Sequence, residues 1–415
     1  MKILLYSMNF TPELVGIGKY SGEMAQWLHA KGHDVRVIAS PPFFPHWAPF
    51  EGHSAWAYRK TVCDGITVWR APTWVPARPR ALARMAHLFS FMLSSMPLLF
   101  AQIRWRPDLV FVVEPPLFCA PTVLFFSRML GIKSWLHIQD YEVDAAFGLG
   151  LVRGARVRRF ALSVERWLLS RFNRVSTISA AMLDRARDKG IDETRLVLFP
   201  NWVDVRSIYP HPAGASETGE PVNGYRTMLG IPADAVVVLY AGSLGNKQGI
   251  ELLADAARQL STAGHIHFVL CGNGPSREAL KTACANLDHV HFLDLQPADR
   301  LNELLGMADI HVLPQRADAA DLVMPSKLGG MLASGKAVIV TAHEGTELSN
   351  VVAGRGLVVA PGDPDALSDA IARLAASRPQ REAMGAAGRS FAETELDRNA
   401  ILLRLEKELL RCLAD

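Results

Sequence analysis

Apolar residues come in short runs that alternate with longer stretches of helical periodicity. Residues 3–6 and 35–39 are continuous apolar runs bounded by turn residues, the pattern of strands buried on both faces. Between them, GKYSGEMAQWLHAKG (18–32) sets Tyr20, Met24, Trp27 and Leu28 on one helical face and stops at Gly32. Strand, helix, strand at this spacing predicts a βαβ unit, hence a parallel sheet with a right-handed crossover. Further strands are expected at 109–113, 134–138 and 175–178, and the first series closes near 196–200. The stretch HPAGASETGEPVNG (211–224) reads as a linker or exposed loop. A second series follows, with strands at 236–241, 267–271, 291–293, 310–313 and 337–341. Helical patterns at 250–263, 276–286, 298–307 and 327–334 separate them, and 365–376 and 381–413 read as largely helical. The fold class is therefore α/β: two doubly wound, Rossmann-like halves joined by a hinge. Domains are expected at 1–205 and 206–395, with a helix at 396–415 packing back on the first.

Composition narrows the class. Across 415 residues, 44 Lys+Arg against 41 Asp+Glu leave a net charge of +3, too balanced for a chain whose main partner is duplex nucleic acid. A content of 49% hydrophobic and 20% charged residues excludes wholesale disorder. The five cysteines, Cys63, Cys119, Cys271, Cys284 and Cys412, are scattered and form no CxxC pair. That speaks against a disulfide framework or zinc ribbon and fits a reducing compartment. The start, MKILLYSMNF, is too short in its apolar run for a signal peptide and reads as a buried first strand. Residues 81–103 are long enough to raise the question of a membrane span, but Arg84, His87, Ser90, Ser94, Ser95, Pro97 and Gln102 interrupt them. A buried or membrane-touching helix is the expectation, and the mean hydropathy of +0.12 needs no span.

Two such halves suggest a dinucleotide enzyme, and the sequence argues against one. Gly16, Gly18 and Gly22 approach a GxGxxG fingerprint, yet Gly16 lies ten positions beyond Tyr6, the end of the first strand. The fingerprint needs its glycines in the turn directly after the strand. The second strand ends in Ala39-Ser40-Pro41, without an acid for a ribose hydroxyl. The loop 7–17 is instead a long glycine-ended connection that can overhang a crevice, or simply a helix start.

The second half carries denser chemistry. Gly242, Ser243, Asn246 and Lys247 follow a strand and open a helix, a combination suited to phosphate. Met324-Pro325-Ser326-Lys327 and the loop holding Glu344, Gly345 and Glu347 stand in the same relation to later strands. Each alone is explained by a cap or a solvated charge. Together they converge on the carboxyl edge of one parallel sheet, where ligands bind. The single DxD, Asp363-Pro364-Asp365, reads as a helix cap rather than a metal site.

In order, GSLGNKQG, CGNGP with Gly272 and Gly274, the PSK loop and Gly345…Glu347…Gly356-Leu357-Val358 resemble the donor domain of retaining GT-B glycosyltransferases of family 4. FPNW-VD (199–204) resembles that family's interdomain motif. The runs at 9–47 and 136–150 resemble the WcaI-type enzymes of colanic-acid exopolysaccharide biosynthesis. One departure stands out: the family's paired glutamates fall here on Leu322 and Gly330, which leaves Asp321, Glu344 or Glu347 to meet the sugar. The resemblance implies two domains facing a central cleft and a nucleoside-diphosphate sugar as donor, with GDP-fucose the first guess and another GDP- or UDP-sugar next. It implies metal-independent transfer with retention and no cofactor. Gly16 and Gly18 join Gly242, Ser243, Asn246, Lys247, Gly272, Gly274, Met324, Pro325, Ser326, Lys327, Gly345 and Glu347 as donor-side candidates.

Lys247 is the expected neutraliser of the leaving diphosphate, with Glu347 beside it. In the first half, His137, Asp140, Glu142 and Asp144 cluster after a strand. Asp140 is the candidate for acceptor activation, with His137 and Lys19 on the same side; His137 reads equally well as a satisfied core histidine. A polyprenyl-diphosphate-linked saccharide is the acceptor the resemblance implies, at the inner face of the cytoplasmic membrane. Independent support comes from Trp69, Arg70, Trp74, Arg78, Arg80 and Arg84 ahead of the apolar helix, from Arg104, Trp105 and Arg106 behind it, and from Arg153, Arg156, Arg158 and Arg159. A nucleotide-sugar epimerase and a non-catalytic two-domain sugar binder are the competing readings.

Overall fold

The computed structural model describes residues 1–78, 81–148, 154–211, 223–245, 248–316 and 325–415. Candidates Asn246, Lys247, Met324, Asp321 and Leu322, and the basic residues Arg80 and Arg153, lie outside them. Two compact units emerge: 1–201 together with 401–415, and 202–400.

The strands are β1 Lys2–Ser7, β2 Asp34–Ala39, β3 Arg59–Cys63, β4 Ile66–Arg70, β5 Leu109–Glu114, β6 Lys133–Ile138, β7 Arg174–Thr177 and β8 Leu196–Leu198 in the first unit. In the second they are β9 Val236–Ala241, β10 Ile266–Cys271, β11 Val290–Leu293, β12 Ile310–Leu313, β13 Ala337–Thr341 and β14 Gly356–Val359. Helices α1 Gly16–Ala30, α2 Ala81–Ala101, α3 Ala120–Leu130, α4 Glu142–Gly148, α5 Ala155–Leu169 and α6 Ala180–Asp188 belong to the first unit. The second carries α7 Gly224–Met228, α8 Glu251–Gln259, α9 Arg277–Ala283, α10 Leu301–Gly306, α11 Lys327–Ala333, α12 Glu347–Val352, α13 Pro364–Ala376 and α14 Arg378–Glu395. The last helix, α15 Arg398–Ala414, contributes its greater part to the first unit.

The first sheet runs β3-β4-β2-β1-β5-β6-β7-β8 and is parallel except for β3, which pairs antiparallel with β4. The second runs β11-β10-β9-β12-β13-β14 and is parallel throughout. Central strands such as β5 and β12 are buried along their whole length, as their unbroken apolar runs require. In both sheets the strand order reverses beside the first strand, between β1 and β5 and between β9 and β12. Such a reversal sends consecutive crossovers to opposite faces and leaves a crevice at the carboxyl edge.

The β3–β4 hairpin went unforeseen. Edge strand β3 carries Arg59 and Lys60 on a largely exposed surface, so it lacks the apolar run that marks the others. Asp363 accepts from the Ala366 amide at 2.9 Å with Pro364 next in line, so the DxD carboxylate caps α13.

Candidate functional site

At the second reversal, the loops after β9 and β12 must flank one crevice, and a hydrogen bond ties them. The Lys327 ammonium, on α11, donates to the Tyr240 hydroxyl at 2.9 Å and lies over that ring, 4.6 Å from its centroid. The hydroxyl in turn donates to the Ser243 carbonyl at 2.5 Å. No carboxylate among the described residues pairs with this lysine, and burial pushes its pKa from 10.5 down to about 8. A half-buried ammonium without a counter-charge among the described residues carries a desolvation cost that a bound anion would offset. Tyr240, hidden in a strand that reads as plain core, was not foreseen.

Glycines bring the neighbouring loops this close. Gly242 has φ +147°, and a Cβ there would meet the Lys327 Nζ at 2.1 Å. Gly272, at φ +142°, would place a Cβ 1.8 Å from the Gly242 carbonyl oxygen. Backbone bonds lace the loops: the Gly242 amide donates to Cys271 at 2.8 Å, Leu244 to Asn273 at 3.0 Å and Gly272 to Leu293 at 2.9 Å. Gly272 and Gly274 therefore serve loop packing, and no more than that is needed to explain them. Pro325 leads into α11, but Ser326 makes no capping bond. A seven-residue helix has little dipole to offer, so the ammonium, not the helix end, is the cation of this site.

The loop after β13, next along the edge, ends in Thr346, which caps α12 by accepting from Ser349 at 3.3 Å. Glu347 is the first helical residue and half-buried, Gly345 is open on its Cβ side at φ +82°, and Glu344 is exposed.

In the first unit the acid cluster after β6 divides. Asp144 pairs with Lys189 at 2.9 Å, and the same ammonium meets buried Glu165. Glu142 accepts from the Leu117 amide, and burial pushes it up to about 7. Both are spent on fixing α4 against its neighbours. Asp140, half-buried, precedes them and lies within electrostatic reach of Glu142.

His137 does not present a ring edge to a substrate. It is buried, its Nδ1 lies 2.9 Å from Ser176 Oγ and its Nε2 2.9 Å from the Gln139 amide. Burial pushes it down to about 3, so it stays neutral and acts as a core histidine. Gln139 and Asn201 exchange reciprocal amide bonds of 3.1 Å. Lys19 is half-exposed and 3.9 Å from Glu23. Gly16 opens α1 at φ +59°, whereas Gly18 is bare because Glu13 fills the space a Cβ would take, at 2.5 Å. Arg70, expected to flank the membrane helix, is buried and donates to the Ser40 and Thr11 carbonyls. Tyr240, Gln139, Glu13 and Arg70 are the residues that the sequence reading passed over or misplaced.

Residues 15–202 match the glycosyl transferase 4-like domain, and 224–391 match glycosyl transferases group 1. The chain is 40% identical, over 97% of its length and 98% of the relative's, to the Escherichia coli (strain K12) protein named as the colanic acid biosynthesis glycosyl transferase WcaI. Sucrose-phosphate synthase from Thermosynechococcus elongatus is similar in structure, with TM-score 0.75 at 19% identity, covering 100% of this chain and 99% of that one. Anabaena HepE in complex with UDP-glucose gives TM-score 0.70 at 16% identity, covering 99% and 100%.

Three outcomes follow from this geometry. Inorganic pyrophosphate is expected to bind by calorimetry, with affinity falling as pH rises through about 8, where Lys327 loses its proton. Lys327→Met should weaken that binding at least tenfold without lowering Tm at pH 7. The sign is set by the depressed pKa: the ammonium costs stability below pH 8, and the cost fades as pH rises toward its unfolded value. Unchanged affinity in Lys327→Met removes the side chain from the site. Gly272→Ala should cost about 2–4 kcal/mol in urea unfolding of the second unit, because the clash is with backbone that cannot swing aside.

Proposed function

The chain belongs to the glycosyl transferases group 1 family and is a glycosyltransferase of GT-B fold, and we propose from that premise what it transfers, and where. The donor is a nucleoside-diphosphate sugar, GDP-fucose first, another GDP- or UDP-sugar otherwise. The acceptor is a polyprenyl-diphosphate-linked saccharide, and the product extends a colanic-acid-like exopolysaccharide at the inner face of the cytoplasmic membrane. The observation that carries the donor side is the half-buried Lys327 at the second reversal, which no carboxylate among the described residues meets.

In this mechanism the glycosidic bond to the diphosphate breaks as the acceptor hydroxyl bonds to the same face of the anomeric carbon. The departing phosphate oxygen takes the hydroxyl's proton, so no protein base is obligatory. Lys327 and Lys247 neutralise the charge that develops on that oxygen, which makes a divalent cation unnecessary. Asp140 and Glu347 are the acids assigned to the acceptor and to the donor sugar.

The membrane side is supported by composition and exposure together. No acid occurs between Asp64 and Asp108. Within that stretch 82–104 is long and apolar enough to cross a membrane, and less than a third of it is buried. Leu82, Met85, Phe89 and Leu93 face outward on α2, Phe89 packs on Phe118, and Phe125 and Met129 of α3 are exposed beside them. Arg78 and Arg84 stand exposed at its start, and Arg156, Arg158 and Arg159 on α5. An apolar face rimmed by cations and free of acids suits an anionic bilayer surface rather than a span.

A screen of GDP- and UDP-sugars with lipid extract from an exopolysaccharide-producing strain is expected to give label in the lipid phase for one donor. Activity should survive EDTA; loss restored by Mn²⁺ would sink the metal-free scheme. Lys247→Ala should lower transfer more than tenfold, about 1.5–3 kcal/mol of charge-assisted contact. Cosedimentation with vesicles containing phosphatidylglycerol, and not with phosphatidylcholine alone, should drop at least threefold in an Arg78→Gln/Arg84→Gln double variant.

A further inference from the structure

The loop between β1 and α1 lies at the first unit's own crevice, between the carboxyl ends of β1 and β5. One buried acid sets its course. Glu13 is 1% exposed, yet its carboxylate is fully engaged. Oε1 accepts from the Phe43 amide at 2.9 Å and the Phe44 amide at 3.0 Å, and Oε2 accepts from Asn9 Nδ2 at 2.9 Å. Phe43 and Phe44 belong to the loop after β2, so one side chain joins two loops that sequence separates by 30 positions.

The joint is closed on its other sides as well. Gly18 packs its bare Cα against the Glu13 side chain, which seats the first turn of α1. Arg70, at the end of β4, donates to Ser40 at 2.8 Å and to Thr11, so it clamps the same two loops from below. Ser40 adds two bonds to the Met8 carbonyl, at 3.0 Å from its amide and 2.8 Å from its hydroxyl. With Phe10 and Glu13 turned inward, the tip is left standing out: Leu14 is 68% exposed and Val15 38%, directly before Gly16. An exposed apolar pair held on a rigid base is unusual for a solvated loop, and it offers a surface for the C–H face of a sugar ring.

We propose that Glu13 is a positioning residue for the acceptor, holding the Leu14–Val15 tip at the rim of the first-unit crevice. The inference rests on the reading of that unit as the acceptor side. Glu13 touches no reacting atom; it acts through the loop it carries. A brace that served folding alone would not discriminate between the acceptor and an anion bound in the second unit.

The test uses the full chain and the donor and lipid extract that turn over in the screen. Glu13→Ala should raise the acceptor concentration at half-saturation tenfold or more, with kcat within threefold and pyrophosphate affinity within twofold of wild type. Glu13→Gln keeps an acceptor oxygen for the Phe43 and Phe44 amides, so it should stay within threefold throughout. Acceptor saturation within twofold of wild type in Glu13→Ala, or equal impairment in both variants, overturns the proposal. If Glu13→Ala does not fold, Asn9→Ala removes one of the three bonds and should raise acceptor half-saturation about threefold, no change counting against. A wild-type protein that labels no lipid fails the functional reading instead. The inference is then decided by hydrogen exchange of the ligand-free protein. Glu13→Ala should speed exchange at residues 9–18 and 40–46 at least tenfold and leave β5 unchanged; wild-type exchange there overturns it.

Discussion

The second unit is organised around a lysine that folding alone would not choose. Among the described residues this half-buried ammonium has only a phenol hydroxyl for company, which works against stability, and desolvation depresses its pKa accordingly. The surrounding geometry nevertheless holds it there. Gly242 leaves room for Nζ, Tyr240 supplies ring and hydroxyl, and Gly272 lets the next loop close over the Gly242 carbonyl. Those loops take their places because the strand order reverses between β9 and β12. Sheet topology makes the crevice, glycine makes the approach, and a lysine that no carboxylate among the described residues meets sets its charge.

The first unit meets the same topological problem with different side chains. Its sheet reverses between β1 and β5, but the loop after β1 is held by side chains where glycines pack the loop after β9 against its neighbours. A long loop needs internal supports. Glu13 and Arg70 supply them, each bridging the loops after β1 and β2 without bonding to the other. Two units of one architecture thus differ in what they present: a lysine held on a tyrosine in the second, an apolar tip on a polar base in the first.

Which of this the sequence revealed depends on whether local pattern or tertiary partner decides a residue's role. Buried strands and amphipathic helices were legible because burial repeats at a fixed period, and their order already gave two doubly wound halves. The β3–β4 hairpin was not, since an exposed edge strand has no period to read. Arg70 in sequence is one more arginine before an apolar helix; in the fold it ends a buried strand and is consumed by two carbonyls. Glu13 reads as a loop acid until the amides of Phe43 and Phe44 arrive from another loop. His137 could be taken either way, and only its neighbours Ser176 and Gln139 decide for the core. The loop glycines were legible from their places after strands, but their packing was not. Gly272 and Gly274 answer to a neighbouring backbone, a constraint that no spacing rule encodes.

Gly330, where the family resemblance leads one to expect a glutamate, becomes intelligible beside the lysine. Gly330 lies on α11 three positions after Lys327, so side chains at the two places share a helix face. A carboxylate at 330 would stand one turn from the ammonium and pair with it, spending the charge inside the protein. Glycine leaves the ammonium unspent. The bare position at 330 and a lysine that no carboxylate among the described residues meets are then a single arrangement. On the proposed function, contact to the sugar falls to another element of the same sheet edge. The loop after β13 is the neighbour available, and Glu347 at the head of α12 is its half-buried acid.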